Sequence, residues 1–326
     1  MQGKVTSKDS AATQVYIGID VCKKWLDVFI HPVGHSARVE NTAKGFRELG
    51  RMFAKFSVQL IVMEATGKLH RGVHRALHVA GFAVAVVNPL RARLFAEAAG
   101  ALAKTDSIDA RMLAIMGEAL KPEAAAPLPI LLENLQELMR MRQAAVDDSV
   151  ALGNQIKATS QEFVVRELKR RQKGLAASIA RFDRELRNLV KNKAVLERRY
   201  QIVLSIKGIG PVAAIALVVG LSELGSCTNK QAAMLAGLAP VARDSGDKNA
   251  PRHIKGGRGD VRRTIYMAAR SAARHNRDLK RTYDRLIDKG KVAKVATVAV
   301  MRKLVTLANT LITQDRHWLP DAPQKA

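Results

Sequence analysis

The chain has 326 residues, 48% of them hydrophobic, which is enough to bury a core in each of about two globular domains. A formal net charge of +25 and a sequence pI near 10.5 call for a polyanionic partner, nucleic acid by default and a membrane surface as the rival. Against the membrane, no apolar run approaches the roughly 18 to 20 residues that span a bilayer, the longest being GPVAAIALVVGL, and the N-terminus lacks the apolar stretch of a signal peptide.

Residues 1–13 are polar and read as a flexible N-terminus. VYIGID (Val15–Asp20) and WLDVFI (Trp25–Ile30) then alternate like paired strands joined by a short basic turn, and SARVEN adds a third strand. KGFRELGRMFAKF has helical period, and VQLIVMEATG is a continuous apolar run of buried-strand type that ends at Glu64. A helix near HRGVHRALHVAG and a strand in AVAVVNP follow. Three strands, then helix, strand, helix and strand, describe a mixed α/β sheet over residues 14–125. Asp20 closes the first strand, Glu64 closes the fourth, and Asp106 and Asp109 head a helix after the fifth.

The proline-broken stretch KPEAAAPLP (Lys121–Pro129) marks a domain boundary. Residues 130–200 form a long charged helical region in which Leu168, Leu175, Phe182, Leu189 and Leu196 recur every seven residues, with Ile179 and Leu186 between them. That is a coiled-coil seam, interrupted by Gln172 and Lys193 at other core positions. Leu135–Ile156 is a candidate antiparallel partner, which leaves both an intramolecular hairpin and an intermolecular dimer open. The charge is uneven: residues 1–130 hold 17 basic and 11 acidic side chains, residues 131–326 hold 37 and 18, so most of the polyanion grip belongs to the second half.

Residues 201–318 read as an all-α domain, followed by a flexible tail over 319–326. It opens with SIKGIGPVAAIALVVGL, where the small-residue turn Lys207–Gly210 and Pro211 at a helix start resemble a helix-hairpin-helix. In such a turn, backbone N–H groups around Lys207, Gly208 and Gly210 meet a phosphate. Helices follow in NKQAAMLAGLAP, VRRTIYMAARSAARHN and KVATVAVMRKLVTLANTLI. Between the first two lies VARDSGDKNAPRHIKGGRGD, a loop long enough inside a compact domain to be functional.

If Asp20, Glu64, Asp106 and Asp109 converge, four carboxylates at one sheet edge repel one another unless a cation neutralises them. Hard oxygen ligands beside a polyanionic substrate select Mg²⁺, the ion of phosphoryl transfer. An acid on the first strand, one on the fourth and two on a later helix follow the order of RNase H-like nucleases. The plain alternative for the last pair is a helix start, with Asp106 as N-cap and Asp109 at the third position. An actin-like ATPase needs a Gly/Thr-rich phosphate loop after the first strand, where this chain has DVCKKW, and neither GxxxxGK[ST] nor GxGxxG occurs. His70, His74 and His78 share a helix face without HExxH or cysteine support, so they read as a solvated or phosphate-facing surface; Trp25 and Trp318 read as packing residues. Cys22 and Cys227 lie far apart with no CxxC, which excludes a disulfide framework or zinc knuckle and fits a reducing cytoplasm.

Ser245 stands in ARDSGDKN amid Arg243, Lys248, Arg252, Lys255 and Arg258, with Arg262 and Arg263 on the following helix. A loop serine commonly makes a turn hydrogen bond. As a nucleophile, its hydroxyl would exchange one phosphate ester for another, so strands could be cut and rejoined without ATP while the arginines stabilise charge on the phosphoryl group.

YIGIDVCKKWLDV, MEATG, VNPLRARLFAEAAGALAKTDSIDARMLA, SIKGIGPVAA, LAGLAPVARDSG and GGRGDVRRTIYMAA together resemble the DEDD-type insertion-sequence transposases, which are bridge-RNA-guided, serine-containing DNA recombinases. The resemblance covers nearly the whole chain. It implies a RuvC-like N-terminal domain whose acidic tetrad is Asp20, Glu64, Asp106 and Asp109 holding Mg²⁺, a coiled-coil segment, and a C-terminal transposase domain with Ser245 as nucleophile. It further implies a serine joined covalently to a DNA 5′-phosphate, and an acidic site on one subunit completing the serine site of another. A guide RNA would pair with target and donor DNA, and dimers would assemble into a tetramer on the nucleoid. The alternatives are a metal-dependent RuvC-like junction nuclease without a covalent intermediate and a non-catalytic nucleic-acid-binding protein.

Overall fold

The structure, a computed structural model, describes residues 14–65, 67–100, 106–242 and 252–319, with the side chains of the helix beginning at Asp106 described from Asp109 onward. It falls into two compact units, residues 1–128 and 129–326. The first begins with an antiparallel meander, β1 (Gln14–Val21), β2 (Trp25–His31) and β3 (His35–Glu40). Then come α1 (Ala43–Phe53), β4 (Ser57–Glu64), α2 (His70–Val79), β5 (Val84–Val87), α3 (Pro89–Ala98) and α4 (Asp106–Leu120). Among the described residues the strands form one sheet in the order β3-β2-β1-β4-β5, with β4 parallel to β1 and to β5, as helical crossovers require. A mixed α/β sheet with a mostly helical remainder is what the sequence pattern predicts, and it is consistent with an RNase H-like N-terminal domain.

Strand alternation gives this sheet two buried faces. Ile17, Ile19, Leu26, Ile30, Ile61 and Met63 pack with Leu49 and Phe53 of α1 and Val73 and Leu77 of α2. Leu60, Val62, Ala85 and Val87 face Leu113 and Met116 of α4. On that second face α4 lies against the strands at the closest range its backbone allows. A Cβ placed on Gly18 of β1 would sit 1.9 Å from the Ala110 carbonyl oxygen and 2.5 Å from the Ala114 nitrogen. Further along α4, Gly117 faces Val62 and Tyr16. As the helix advances from Ala110 to Gly117, its strand contacts retreat from Gly18 to Tyr16, so α4 runs antiparallel to β1 and its N-terminus lies at the C-terminal edge of the sheet.

The histidine face of α2 departs from the expected solvated surface. His74 is buried, 6% exposed, and its Nε2 lies 2.8 Å from the Ala125 carbonyl. The Ala125 N–H donates to Val84 O on the edge strand, and Arg75 donates to Leu128 O, so the chain leaving unit 1 is strapped across the open side of β5. A proline-rich segment has backbone groups to satisfy, and a buried imidazole is one way of doing it. Trp25, expected in the packing, is 39% exposed at the start of β2.

Unit 2 opens with α5 (Ile130–Ala158) and α6 (Glu162–Lys191), two long helices joined by a tight turn. Arg142 pairs with Asp183, and the Gln172 amide donates to Ser149 O, contacts whose spacing makes the pair an antiparallel hairpin within one chain. Gln172 thus has a partner at its polar core position. Leu196 and Lys193 fall outside the predicted seam, because α6 ends at Lys191 and a new helix, α7 (Ala194–Leu204), starts beyond it. After α7 come α8 (Pro211–Gly220), α9 (Asn229–Leu235), the two-residue strands β6 (Pro240–Val241) and β7 (His253–Ile254), α10 (Gly259–His275), α11 (Arg277–Asp288) and α12 (Ala293–Thr313). The sequence pattern missed α11, a strongly charged helix set off from α10 by Asn276, whose side chain accepts from the Asp278 and Leu279 N–H groups.

Every residue from Ala213 to Val219 is buried, as a helix apolar all round must be, and α8 forms the centre of a core shared by Leu135 of α5, Leu186 of α6 and the helices of the C-terminal half. By length and apolarity α12 could cross a membrane, which corrects the expectation that no segment approaches this. It is a core helix here, with Ala296, Val300, Met301, Leu304, Val305 and Leu311 buried in unit 2. Arg258, just before α10, forks onto Glu223 while donating to Gly220 O at 2.8 Å. Burial pushes the Glu223 carboxyl up, but the hydrogen bonds from Arg258 and the backbone outweigh it and hold the group below its ordinary value of 4.5. The Glu197 carboxyl is likewise lowered, by the Arg187 hydrogen bond against burial.

Two outcomes follow from these contacts. Gly18→Ala forces α4 off the sheet and destabilises unit 1 by about 3 kcal/mol, the range of severe overpacking, as read by urea denaturation; an unchanged midpoint contradicts the contact. Because Glu223 and Glu197 have lowered folded pKa values, their stabilisation is complete above pH 4.5 and is lost as pH falls below it. The Glu223→Gln protein starts less stable at neutral pH and loses less on acidification, which thermal melts across pH 3–7 measure.

Candidate nucleic-acid processing site

Three of the four predicted acids meet at the C-terminal edge of the sheet. In the parallel ladder Ile19 pairs with Met63, so Asp20 and Glu64, one residue further on, stand at the same level, Glu64 as the last residue of β4 and Asp20 as the last but one of β1. Asp20 shares the face of Gly18, two residues before it, and that is the face α4 covers. Asp109 precedes Ala110, whose carbonyl abuts Gly18, so it stands in the first turn of α4 above the same edge. All three are half-buried. Asp106 begins α4, and its side chain lies outside the described residues. The positive end of the α4 dipole points at this edge and tempers the repulsion among the carboxylates.

Sequence reasoning missed a fifth member of this row. Asp27 of β2 pairs directly with Asp20 across the antiparallel ladder, a like-charge juxtaposition that weakens a sheet unless it is balanced. The balance comes from Arg38 of β3, itself in register with Asp27: its Nε and Nη2 donate to the two carboxylate oxygens at 2.7 and 3.0 Å. Asp27 is buried, 8% exposed, while the Arg38 guanidinium reaches it from the exposed side. Strand alternation alone put Asp27 on the Phe29 face; its pairing with Asp20 needed the hairpin register.

The donor chemistry at this edge fits a hard divalent cation, being carboxylate oxygen throughout. Among the described residues no three Asp, Glu, His or Cys side chains are gathered closely enough to hold an ion. The backbone thus places three of the acids together while their side chains are not closed on a common point.

Ser245, Arg243 and Lys248 lie outside the described residues, but the frame that carries their loop is described. Its two legs are tied in the β6–β7 ribbon, Pro240 with Ile254 and Val241 with His253. Below the ribbon the Arg258 N–H donates to Leu235 O at 2.7 Å. Arg262 donates to Gly237 O on one leg and Gly256 O on the other, at 3.2 and 2.7 Å. Gly237 and Gly257 both have φ near +65°, and a Cβ on Gly257 would lie 2.1 Å from the Gly237 nitrogen, so only glycine permits this crossing. Arg258 and Arg262 therefore have an internal duty at the loop base, and Arg263 pairs with Asp147 of α5 at 2.9 Å. Arg252 and Lys255 are exposed.

The remaining predicted phosphate contacts lie in the α7–α8 turn. Lys207 is exposed there, and its carbonyl accepts from Asn276 Nδ2. Gly208, at φ +107°, packs against Ala272 of α10, and Gly210 is the N-cap of α8 with no side chain to cap it.

Two family profiles match this chain. Residues 17–164 match the IS110 DEDD-type profile described as Transposase, and residues 200–284 match the profile described as Transposase IS116/IS110/IS902 family, the two together spanning more than half of the chain. The pilin gene-inverting proteins of Moraxella bovis and Moraxella lacunata are each 27% identical over 324 residues, an alignment covering 94% of this chain and 98% of theirs. The chain belongs to the DEDD-type transposases of the IS110 family, enzymes that cleave and rejoin DNA.

Proposed function

We propose that this transposase exchanges DNA strands through a serine-linked intermediate, with Asp20, Glu64, Asp106 and Asp109 as the acidic tetrad and Ser245 as the nucleophile. The observation that supports it most is the register that sets Asp20 beside Glu64 while the α4 backbone presses on Gly18, bringing Asp109 to the same edge. The four acids would hold Mg²⁺, which would polarise the phosphoryl oxygens when bound. Asp27 keeps its charge balanced by Arg38, so the row next to the tetrad is neutral where it meets the meander.

In the cleavage step Ser245 Oγ attacks the scissile phosphorus. The Oγ–P bond forms as the P–O3′ bond breaks, and the proton lost by the hydroxyl ends on the departing 3′-oxygen. The DNA 5′-phosphate is then held as a serine ester, and a 3′-hydroxyl reverses the step on a new partner strand. One ester replaces another, so no external energy source is needed. Rejoining, rather than cutting alone, is supported by the names of the Moraxella relatives, which describe gene inversion, an outcome that leaves the number of phosphodiester bonds unchanged. Holding the loop legs through Arg262 and the ribbon suits a nucleophile that must be presented rather than buried.

Three domains follow in this reading: a RuvC-like catalytic domain over 14–125, a coiled-coil region over 130–200, and a transposase domain over 201–318 whose α7–α8 hairpin contacts phosphates. The acidic edge of one subunit completes the serine site of another in a tetramer built from dimers on the nucleoid. A guide RNA selects target and donor DNA by base pairing while the protein reads backbone and shape, a division of labour suited to a chain with 4% aromatic residues.

Incubating the protein with its guide RNA, the DNA that RNA pairs with and Mg²⁺, then resolving the products on a denaturing gel, tests the mechanism. Wild type yields a protein–DNA adduct stable to boiling, and Ser245→Ala yields none while retaining nucleic-acid binding. An adduct persisting in Ser245→Ala removes the serine from the mechanism, and wild-type cleavage that leaves only free ends favours the junction-nuclease alternative. Glu64→Gln abolishes adduct and cleavage alike in the same assay.

A further inference from the structure

Within the α5–α6 hairpin the two helices carry opposite charge. Over Glu162–Lys191, α6 has nine basic and four acidic residues; over Ile130–Ala158, α5 has three and four. A hairpin built only for solubility would mix the signs on both members.

The excess on α6 is also directional. Arg166, Arg170, Lys173, Arg181, Arg184 and Lys191 follow one another at three-, four-, seven- or eight-residue intervals, so they share one stripe of the helix, and all six are exposed. The stripe lies opposite Leu168, Leu175, Ile179, Phe182 and Leu186, of which the first four are partly buried and Leu186 joins the core of unit 2. From Arg166 to Lys191 it runs about 37 Å at 1.5 Å per residue. Near its middle Ala176, Ala177 and Ala180 are exposed and small, which separates the cations into two groups and leaves nothing to hold a partner off.

Few of these charges are used internally. Arg166 pairs with Glu162 and Arg170 with Glu167, both exposed contacts within one turn that contribute little and exchange readily. Arg181 donates to the Ser178 hydroxyl, and Lys191 lies near Glu197, which Arg187 already engages. Lys173 and Arg184 make no ion pair among the described residues. Arginines elsewhere in unit 2 behave differently: Arg142, Arg187, Arg258 and Arg263 are each tied to a carboxylate from another element or another part of the chain.

We infer that the outer stripe of α6 is a docking surface for the phosphate backbone of duplex DNA. The inference rests on the transposase reading only in taking DNA as the polyanion. Charge complementarity selects a polyphosphate, and a straight rigid stripe of about 37 Å matches one turn of B-form duplex, about 34–36 Å, along which two cation groups can reach successive backbone crossings. Duplex RNA, whose A-form geometry spaces its backbones differently, is the comparison ligand in the test. Binding here carries no sequence information; it holds the duplex near the enzyme.

The test is equilibrium binding of a fluorescent 30-base-pair duplex DNA of arbitrary sequence, in EDTA, across a salt series, with duplex RNA of the same length in parallel. The stripe variant is Lys173→Gln with Arg181→Gln and Arg184→Gln, and Arg47→Gln with Arg51→Gln on the exposed face of α1 and Lys55→Gln just beyond its end removes the same charge elsewhere. The stripe variant is expected to bind DNA about tenfold or more weakly and to lower the slope of log K against log salt by about two to three, with the α1 variant changing less. Circular dichroism checks that helix content is unchanged. Wild-type affinity and slope in the stripe variant, a loss no larger than that of the α1 variant, or a loss confined to RNA would each overturn the inference. Without metal no cleavage or adduct forms, so a mechanism that fails in the gel assay leaves this result standing, and the reverse also holds.

Discussion

The architecture of unit 1 depends on one backbone contact, the α4 carbonyl and amide groups lying directly on β1 at Gly18. A side chain there would lift the helix off the sheet. Because Gly18 has none, Ala110 meets the strand two residues short of Asp20, and the residue before Ala110 is Asp109. The parallel pairing of β1 with β4 then supplies Glu64 at the same level. A helix start, a strand end and a second strand end, far apart in sequence, are brought to one edge by steric room at a single position.

Electrostatics at that edge is a matter of distribution. Asp20 and Asp27 face each other in an antiparallel pair, an arrangement that would cost stability but for the two hydrogen bonds Arg38 places on Asp27. Across the whole chain the same economy recurs. Some of the 54 lysines and arginines are locked into bidentate contacts with carboxylates, as at Arg142, Arg187 and Arg258, and these arginines set the packing of unit 2. Others face outward, those of the α6 stripe among them. Only this second group is available to a polyanion, so a count of cations by itself overstates the binding surface.

Much of the first unit was legible because its signals are local. Alternation in VYIGID and WLDVFI, the apolar run before Glu64 and the helical period after it gave the strand and helix order, and with it the strand-end positions of Asp20 and Glu64. Asp27 and His74 were not legible in the same way. The first depends on hairpin register and on Arg38 from a third strand; the second is buried by a segment fifty-one residues later. In unit 2 the heptad count carried the seam past a helix end, because periodicity does not report the break between Lys191 and Ala194. The cluster of arginines around Ser245 read as a phosphate site from composition, whereas Arg258 and Arg262 are placed by the fold under the loop, on Glu223 and on glycine carbonyls. Proximity in sequence to a functional residue did not distinguish a cation that meets a ligand from one that holds the loop.

The central claim is that the acids assembled by the Gly18 contact act together on a divalent cation. Electron paramagnetic resonance of Mn²⁺ titrated into the full-length protein measures this without reference to any reaction. Saturable binding is expected in the wild type and is expected to be lost in Asp20→Asn, Glu64→Gln and Asp109→Asn taken singly. Equal Mn²⁺ binding in all four proteins, or none in the wild type with nucleic acid present, would contradict the account.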